Sequence, residues 1–203
     1  MAKQRQKDTG GLDGIAASVR GQAGTDGQRG LPPVHLWDPP FCGDLDIRIA
    51  SDGTWFYLGS PIGRQPLVRL FASVIKREGD KYFLVTPVEK IGIVVEDAPF
   101  LAVEMRSEAG PSGRRLHFRT NVDDWVACGP EHVLRFEPEE SSGGLKPYLH
   151  VRQNLWAKVT RALFYDLVEM GCERDFDGER MFGIDSDGLF FPMARADALK
   201  DLM

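Results

Sequence analysis

Six basic side chains crowd two short apolar segments, and they are the residues of this sequence best suited to chemistry. Arg64, Arg69 and Arg77 surround Leu67-Val68-Arg69-Leu70-Phe71, and Arg152, Lys158 and Arg161 lead into Ala162-Leu163-Phe164-Tyr165. A guanidinium presents a planar fork of donors that matches phosphate and carboxylate oxygens. Carboxylates that could answer them are Glu89, Glu96 and Asp97. Thr86 adds a hydroxyl next to Pro87, which has no N–H of its own to donate. Two chemistries fit this set. The charges can pair internally and hold two parts of the fold together, or they can hold an anionic ligand. The candidate ligand-binding set is Arg64, Arg69, Thr86, Glu89, Asp97, Arg152 and Arg161.

Other chemistries are poorly represented. The sequence has no phosphate-binding Walker loop, no G-x-G-x-x-G, no nucleophile elbow and no H-E-x-x-H. His35, His117, His132 and His150 are not at metal-ligand spacings, and Cys42, Cys128 and Cys172 make no C-x-x-C pair. Asp175-Phe176-Asp177-Gly178 and Asp185-Ser186-Asp187-Gly188 look like calcium loops. With Gly188 in the sixth position, however, Ala194 falls where a bidentate Glu is required. Both read as turns. Neither metal nor cofactor, nor any catalytic residue, is assigned.

The elements that must position the charges follow from periodicity. Leu45, Ile47 and Ile49 alternate with polar residues, Ser51-Asp52-Gly53 is a hairpin turn, and residues 54–58 return as a second strand. A helix follows, with Pro66 at its start, an apolar stripe of Leu67, Leu70, Phe71 and Val74, and Gly79 past its end. Strands are predicted over 81–85, 91–96 and 100–105, and residues 110–113 mark a break. The second half gives strands over 116–120, 125–128 and 133–136, then an acidic Ser/Gly-rich loop over 137–144. A long helix over 152–170 carries a stripe of Trp156, Val159, Leu163 and Met170, leaving Arg152, Lys158, Arg161 and Tyr165 off it. A hairpin over 179–193 closes the chain.

The order strand, strand, helix, strand, strand thus occurs twice. Asp52-Gly53-Thr54-Trp55 and Gly59-Ser60-Pro61 echo Asp123-Asp124-Trp125 and Gly129-Pro130. Leu67-Val68-Arg69-Leu70-Phe71 echoes Val159-Thr160-Arg161-Ala162-Leu163-Phe164. The expectation is an α+β fold of two similar ββαββ-type units. Residues 1–30 form a disordered tail, 31–107 a Pro-rich strap plus the first unit, and 108–203 the second unit. The tail has seven glycines and few apolar residues, too few to offset chain entropy. The strap has four prolines within residues 31–40, with Trp37 and Phe41 as its expected anchors.

Composition narrows the partners. The chain has 203 residues, 42% hydrophobic and 27% charged, with net charge −5. The tail alone carries five basic and three acidic residues, leaving −7 for the remainder. That balance disfavours a grip on a nucleic-acid polymer, which calls for a broad basic surface. No apolar run approaches the ~20 residues of a membrane span, and no apolar stretch follows the basic N-terminus as in a secretory signal. Three widely spaced cysteines read as reduced thiols, so the expected location is the cytoplasm.

These segments resemble a bacterial domain-of-unknown-function family, numbered 1285. The resemblance rests on Pro32-Pro33-Val34-His35-Leu36-Trp37, Asp52-Gly53-Thr54-Trp55, Gly59-Ser60-Pro61-Ile62-Gly63-Arg64 and Leu67-Val68-Arg69-Leu70-Phe71. It continues through Leu84-Val85-Thr86-Pro87-Val88-Glu89-Lys90, Val95-Glu96-Asp97-Ala98-Pro99-Phe100 and Thr120-Asn121. It implies a duplicated core with a pleckstrin-homology-like second half, a nucleotide-like ligand in the seam between the halves, and a role in bacterial signal transduction. It implies no catalytic residues. The leading expectation is a regulatory protein that binds an anionic small molecule between the repeats. The alternatives are an enzyme at the same seam with Glu89 or Asp97 as base, and a protein–protein module using the arginine faces and the strap. An enzyme is the less favoured of these.

Overall fold

The computed structural model describes residues 14, 16, 17, 19, 31–139 and 143–197. Its contacts divide the chain into two units, Met1–Glu96 and Asp97–Met203. The expected boundary at 107/108 falls inside a strand, Phe100–Gly110, whose hydrogen-bonded neighbours both belong to the second unit.

The first unit contains β1 (Phe41–Ile49), β2 (Trp55–Tyr57), β3 (Ser60–Pro61), α1 (Gln65–Ala72), β4 (Ile75–Glu78), β5 (Lys81–Val85) and β6 (Lys90–Val95). They form one six-stranded sheet in the order β3-β2-β1-β6-β5-β4. Only the central pair, β1 with β6, is parallel. Alternation places Ile47 and Ile49 in the core and Arg48 and Asp46 away from it. Ser51-Asp52-Gly53 makes the expected turn, with Gly53 at φ 78° and its N–H donating to the Ala50 carbonyl. The helix stops at Ala72, earlier than expected, and Val74 lies beyond it. Residues 75–78 instead form β4, whose Ile75 and Arg77 stand opposite Leu84 and Tyr82 of β5. Gly79, at φ 59°, therefore serves the β4–β5 hairpin and not the helix end. Ahead of the sheet, Val34–Leu36 form one 3₁₀ turn. Val34 and Pro39 are buried, whereas Phe41, an expected anchor, is 54% exposed.

The second unit contains β7 (Phe100–Gly110), β8 (Gly113–Thr120), β9 (Trp125–Ala127), β10 (Leu134–Pro138), β11 (Leu145–Arg152), β12 (Leu155–Val159) and α2 (Arg161–Glu169). A three-stranded sheet follows, β13 (Cys172–Phe176), β14 (Glu179–Ser186) and β15 (Leu189–Arg195). The six-stranded sheet has the order β10-β11-β12-β7-β8-β9, with β7 and β12 parallel. Counted within its unit, each sheet therefore runs third, second, first, sixth, fifth, fourth, and its first and sixth strands are the parallel pair. The fold is a duplicated, mostly β member of the α+β class.

The duplication lies in the sheets and not in the ββαββ order expected. The helix stands between third and fourth strands in the first unit and after the sixth in the second. The two helical echoes thus occupy different places. Trp55 lies on the second strand of its unit opposite Ile49, whereas Trp125 lies on the third strand of its own opposite Arg119. Trp55 is buried and Trp125 is 42% exposed, so the two tryptophans are not counterparts.

The expected long helix over 152–170 is also replaced. Leu155, Ala157 and Val159 are buried and alternate with half-exposed Trp156 and Lys158, the signature of a strand with one face on the core. Gln153, at φ 49°, turns β11 into β12 without a glycine. The three-stranded sheet is fastened to the larger one by Ser186. Its buried hydroxyl donates to the Cys128 carbonyl at 2.8 Å and accepts from the Leu116 N–H at 2.9 Å. Both aspartate loops are turns, with positive φ at Asp177 and Gly178 and at Asp187 and Gly188.

Of the expected disordered tail, only residues 14, 16, 17 and 19 are described. They are helical, and Ala16 and Val19 are buried, at variance with a wholly unstructured tail. The rest of the tail, and residues 140–142 of the acidic loop, lie outside the described residues.

Candidate functional site

A cleft of about 370 Å³ opens in the second unit between the β11–β12 hairpin and the first turns of α2. Its chemistry comes from Glu139, Lys146, Lys158, Arg161, Phe164 and Tyr165. Strand alternation sets the floor. Leu145, Pro147 and Val159, on the core-facing side of the strands, line the cleft, whereas Lys146, Tyr148 and Lys158 belong to the opposite face; the two lysines still reach the lining, and Tyr148 stands directly opposite Lys158 outside it. Helical spacing sets the wall. Leu163 and Leu167 point inward, so Arg161 and Tyr165, one turn apart, lie together on the outer face. Arg161 Nε donates to Tyr165 Oη at 2.9 Å. The Phe164 ring lies 6.3 Å from that of Phe136.

Each lysine of the cleft has a carboxylate. Lys146 Nζ is 3.4 Å from Glu139. Lys158 Nζ donates to Asp97 Oδ2 at 2.8 Å, and Tyr148 Oη donates to Asp97 Oδ1 at 2.6 Å. The Asp97 and Lys158 side chains are 14% and 27% exposed. Burial acts to raise the Asp97 pKa, but the hydrogen bonds from Lys158 and Tyr148 and the charges of Lys158 and Lys146 outweigh it. The carboxyl is held below the usual aspartate range. Burial and the Asp97 charge push the Tyr148 phenol above its usual range, so it remains a donor.

The expected site residues are distributed as follows. In the first unit, Arg64 precedes α1 and Arg69 lies within it, both exposed. Thr86 and Glu89 come together in the β5–β6 turn. Thr86 is 2% exposed, and its hydroxyl accepts from the Glu89 N–H at 3.1 Å and the Val88 N–H at 3.4 Å. In the second unit, Arg161 lines the cleft and Asp97 holds its Lys158. Arg152 stands elsewhere. It donates to Asp124 at 3.1 Å and lies 4.8 Å over the Phe100 ring, tying the end of β11 to the β8–β9 turn. Burial lowers its pKa against the opposing pull of Asp124.

A second cleft, of about 330 Å³, occupies the matching corner of the first unit, at the start of the fifth strand and the end of the sixth. It offers Asp44 and Asp80 against Lys81 alone. Of the two clefts, that of the second unit is the one charged for an anion. Among the described residues no group of three or more His, Cys, Asp or Glu side chains is placed to hold a metal ion. No described helix is long and apolar enough to cross a membrane.

Comparison with known proteins decides the family. Residues 32–98 match the N-terminal domain of DUF1285, described as a domain of unknown function, and residues 99–193 match its C-terminal domain. The chain belongs to the DUF1285 family. The two matched domains meet within two residues of the division between the structural units. A crystal structure of a DUF1285 family protein from Silicibacter pomeroyi DSS-3 is similar over 92% of this chain and 98% of its own, at 44% identity and TM-score 0.82. A second, from Shewanella baltica OS155, is 32% identical over 61% of this chain and 90% of its own, at TM-score 0.48. No curated protein matches the chain. Within the DUF1285 C-terminal domain, sequence reasoning reached Asp97's partner Lys158 and Tyr165 only as residues off a helical stripe. It missed Glu139, Lys146 and Tyr148 as contributors. The Lys146/Tyr148 and Trp156/Lys158 alternation was the available signal.

Proposed function

We propose that this DUF1285 protein is a regulatory protein that binds an anionic small molecule in the cleft between the β11–β12 hairpin and α2. The observation that carries the reading is the convergence of Lys146, Lys158 and Arg161 with the rings of Phe164 and Tyr165. The cleft's volume lies within the range of ~300–1,000 Å³ typical of ligand pockets. Cations supply attraction for a phosphate or carboxylate, and rings supply a face for an apolar or nucleotide-like part. Asp97, held ionised by two hydrogen bonds, suits an anchor for Lys158 better than a proton donor, which favours binding over catalysis. A role in bacterial signal transduction belongs to this proposal, as does a protein partner that reads the liganded state. So does the pleckstrin-homology-like character of the second unit, for which the support is a sheet of strands followed by one helix.

Thermal denaturation against a panel of phosphorylated and carboxylated metabolites, nucleotides included, tests the reading. A ligand at ~100 times its dissociation constant stabilises the fold by about 2.7 kcal/mol, a melting shift of roughly 5–10 °C for a body of this size. Arg161→Ala should abolish the shift. The unliganded protein should melt within about 2 °C of wild type, because the side chain is exposed and its hydrogen-bond partner Tyr165 is 53% exposed. Absence of any shift across the panel, or a shift that survives Arg161→Ala, contradicts the proposal.

A further inference from the structure

The cations of the cleft are not equally available. Lys146 is paired with Glu139, and Lys158 with Asp97. Arg161 is paired with a neutral phenol, Tyr165. Among the described residues, three cations against two carboxylates leave one net positive charge. Asp97 is the more deeply set of the two carboxylates, at 14% exposure against 32% for Glu139. It is also fixed from both sides, by Tyr148 Oη and by Lys158 Nζ. A side chain held by two hydrogen bonds cannot swing away to make room for ligand charge. Its field acts on Lys146 as well as on Lys158, since both lysines favour its ionised form.

We propose that Asp97 is the cleft's built-in counterion and that it sets the charge of the ligand, selecting a group with one negative charge over one with two. The inference rests on the reading of the cleft as an anion site and deepens it. A monoanion brings the cleft to neutrality. A dianion overfills it, and its second charge meets the fixed carboxylate across Lys158. The chemistry selected is a carboxylate or a phosphodiester carried on an apolar or aromatic body that packs against Phe164 and Tyr165. Phosphomonoesters and polyphosphates are disfavoured.

A matched pair of probes reads this directly. Methyl phenyl phosphate is a diester with one charge. Phenyl phosphate is a monoester that carries two at pH ~8, its second ionisation lying near pH ~6. Calorimetric titration of the wild-type protein should show the diester binding at least as tightly as the monoester. Asp97→Asn removes one negative charge and keeps an acceptor for Tyr148. It should tighten the monoester about tenfold and leave the diester within about threefold, shifting the ratio toward the monoester. Glu139→Gln makes the same change of charge on a more exposed side chain and should move the ratio in the same direction. It serves as the second arm if Asp97→Asn does not fold. A wild-type preference of tenfold or more for the monoester overturns the inference while the anion site stands. So does a ratio that neither variant moves. Failure of both probes to bind wild type at about 10 mM removes the site itself.

Discussion

Phe71→Ala should lower the free energy of unfolding by about 3–5 kcal/mol, the cost of lost transfer energy plus the cavity left behind. Phe71 is fully buried on α1, and its ring stacks on that of Trp55 at 6.3 Å with the planes 26° apart. The helix has eight residues, too few to persist on hydrogen bonding alone, so it depends on the burial of Leu67, Val68, Phe71 and Ala72. Trp55 is 2% exposed, and its indole N–H has no partner among the described residues, so the ring contributes to stability chiefly through packing. Removing Phe71 takes away that packing surface, and a shift of this size is a large share of the ~5–15 kcal/mol stability of an ordinary domain. Denaturant titration followed by tryptophan fluorescence measures it. A loss below about 1 kcal/mol would mean that α1 does not lie on β2 as described.

Lys158→Ala should cost about 3 kcal/mol at neutral pH, because it leaves Asp97 ionised, largely buried and short of its cation. The cost should depend on pH in a defined direction. In the wild-type protein the Asp97 carboxyl is held below its ordinary value of 3.8. It therefore contributes stability that is fully present above that value and is lost as pH falls through the lower value of the folded state. In Lys158→Ala burial is opposed only by the Tyr148 hydrogen bond and the Lys146 charge, so the carboxyl rises relative to wild type. The variant is then penalised at high pH and relieved as pH falls and the carboxyl takes a proton. Stability measured from about pH 7 to pH 4 should show the gap between variant and wild type narrowing as the solution is acidified. A gap that is constant over this range would show that Lys158 acts through its aliphatic stem and not through its charge.

The legible parts of the fold are those whose signals are local. β1, its Ser51-Asp52-Gly53 turn and β5 were readable because alternation and turn chemistry agree over a few residues. The β11–β12 hairpin was not. Trp156, Val159 and Leu163 keep a helical spacing that runs on into α2, while Leu155, Ala157 and Val159 keep a strand spacing over the same residues. The turn at Gln153 carries no glycine to break the tie, and pairing with β7, far away in sequence, decides it. Gly79 misled in the opposite way. It opens the β4–β5 hairpin turn, and reading it as a helix stop concealed β4.

The site divides on the same principle. Arg161 was readable as a cation next to apolar residues on a helix, and Asp97 as a carboxylate within reach of it. That Asp97 belongs to Lys158, sixty-one positions away, and that Tyr148 completes the pair, follows only from tertiary register. Arg152 carried the same local signature as Arg161, yet the fold commits it to Asp124 and Phe100. Thr86 and Glu89 were readable as a polar pair, and the β5–β6 turn joins them to each other.

An anion bound by the second unit should lie between its β11–β12 hairpin and α2. At 22.6 kDa the protein suits residue-resolved NMR, and titration with whichever of the two aryl phosphates binds more tightly locates the site. Saturable shifts are expected at Lys146, Lys158, Arg161, Phe164 and Tyr165, with Arg64, Arg69 and the Thr86–Glu89 turn unmoved. Saturable shifts centred on the first unit with the α2 residues silent, or no saturable shift anywhere, would contradict an anion site in this cleft.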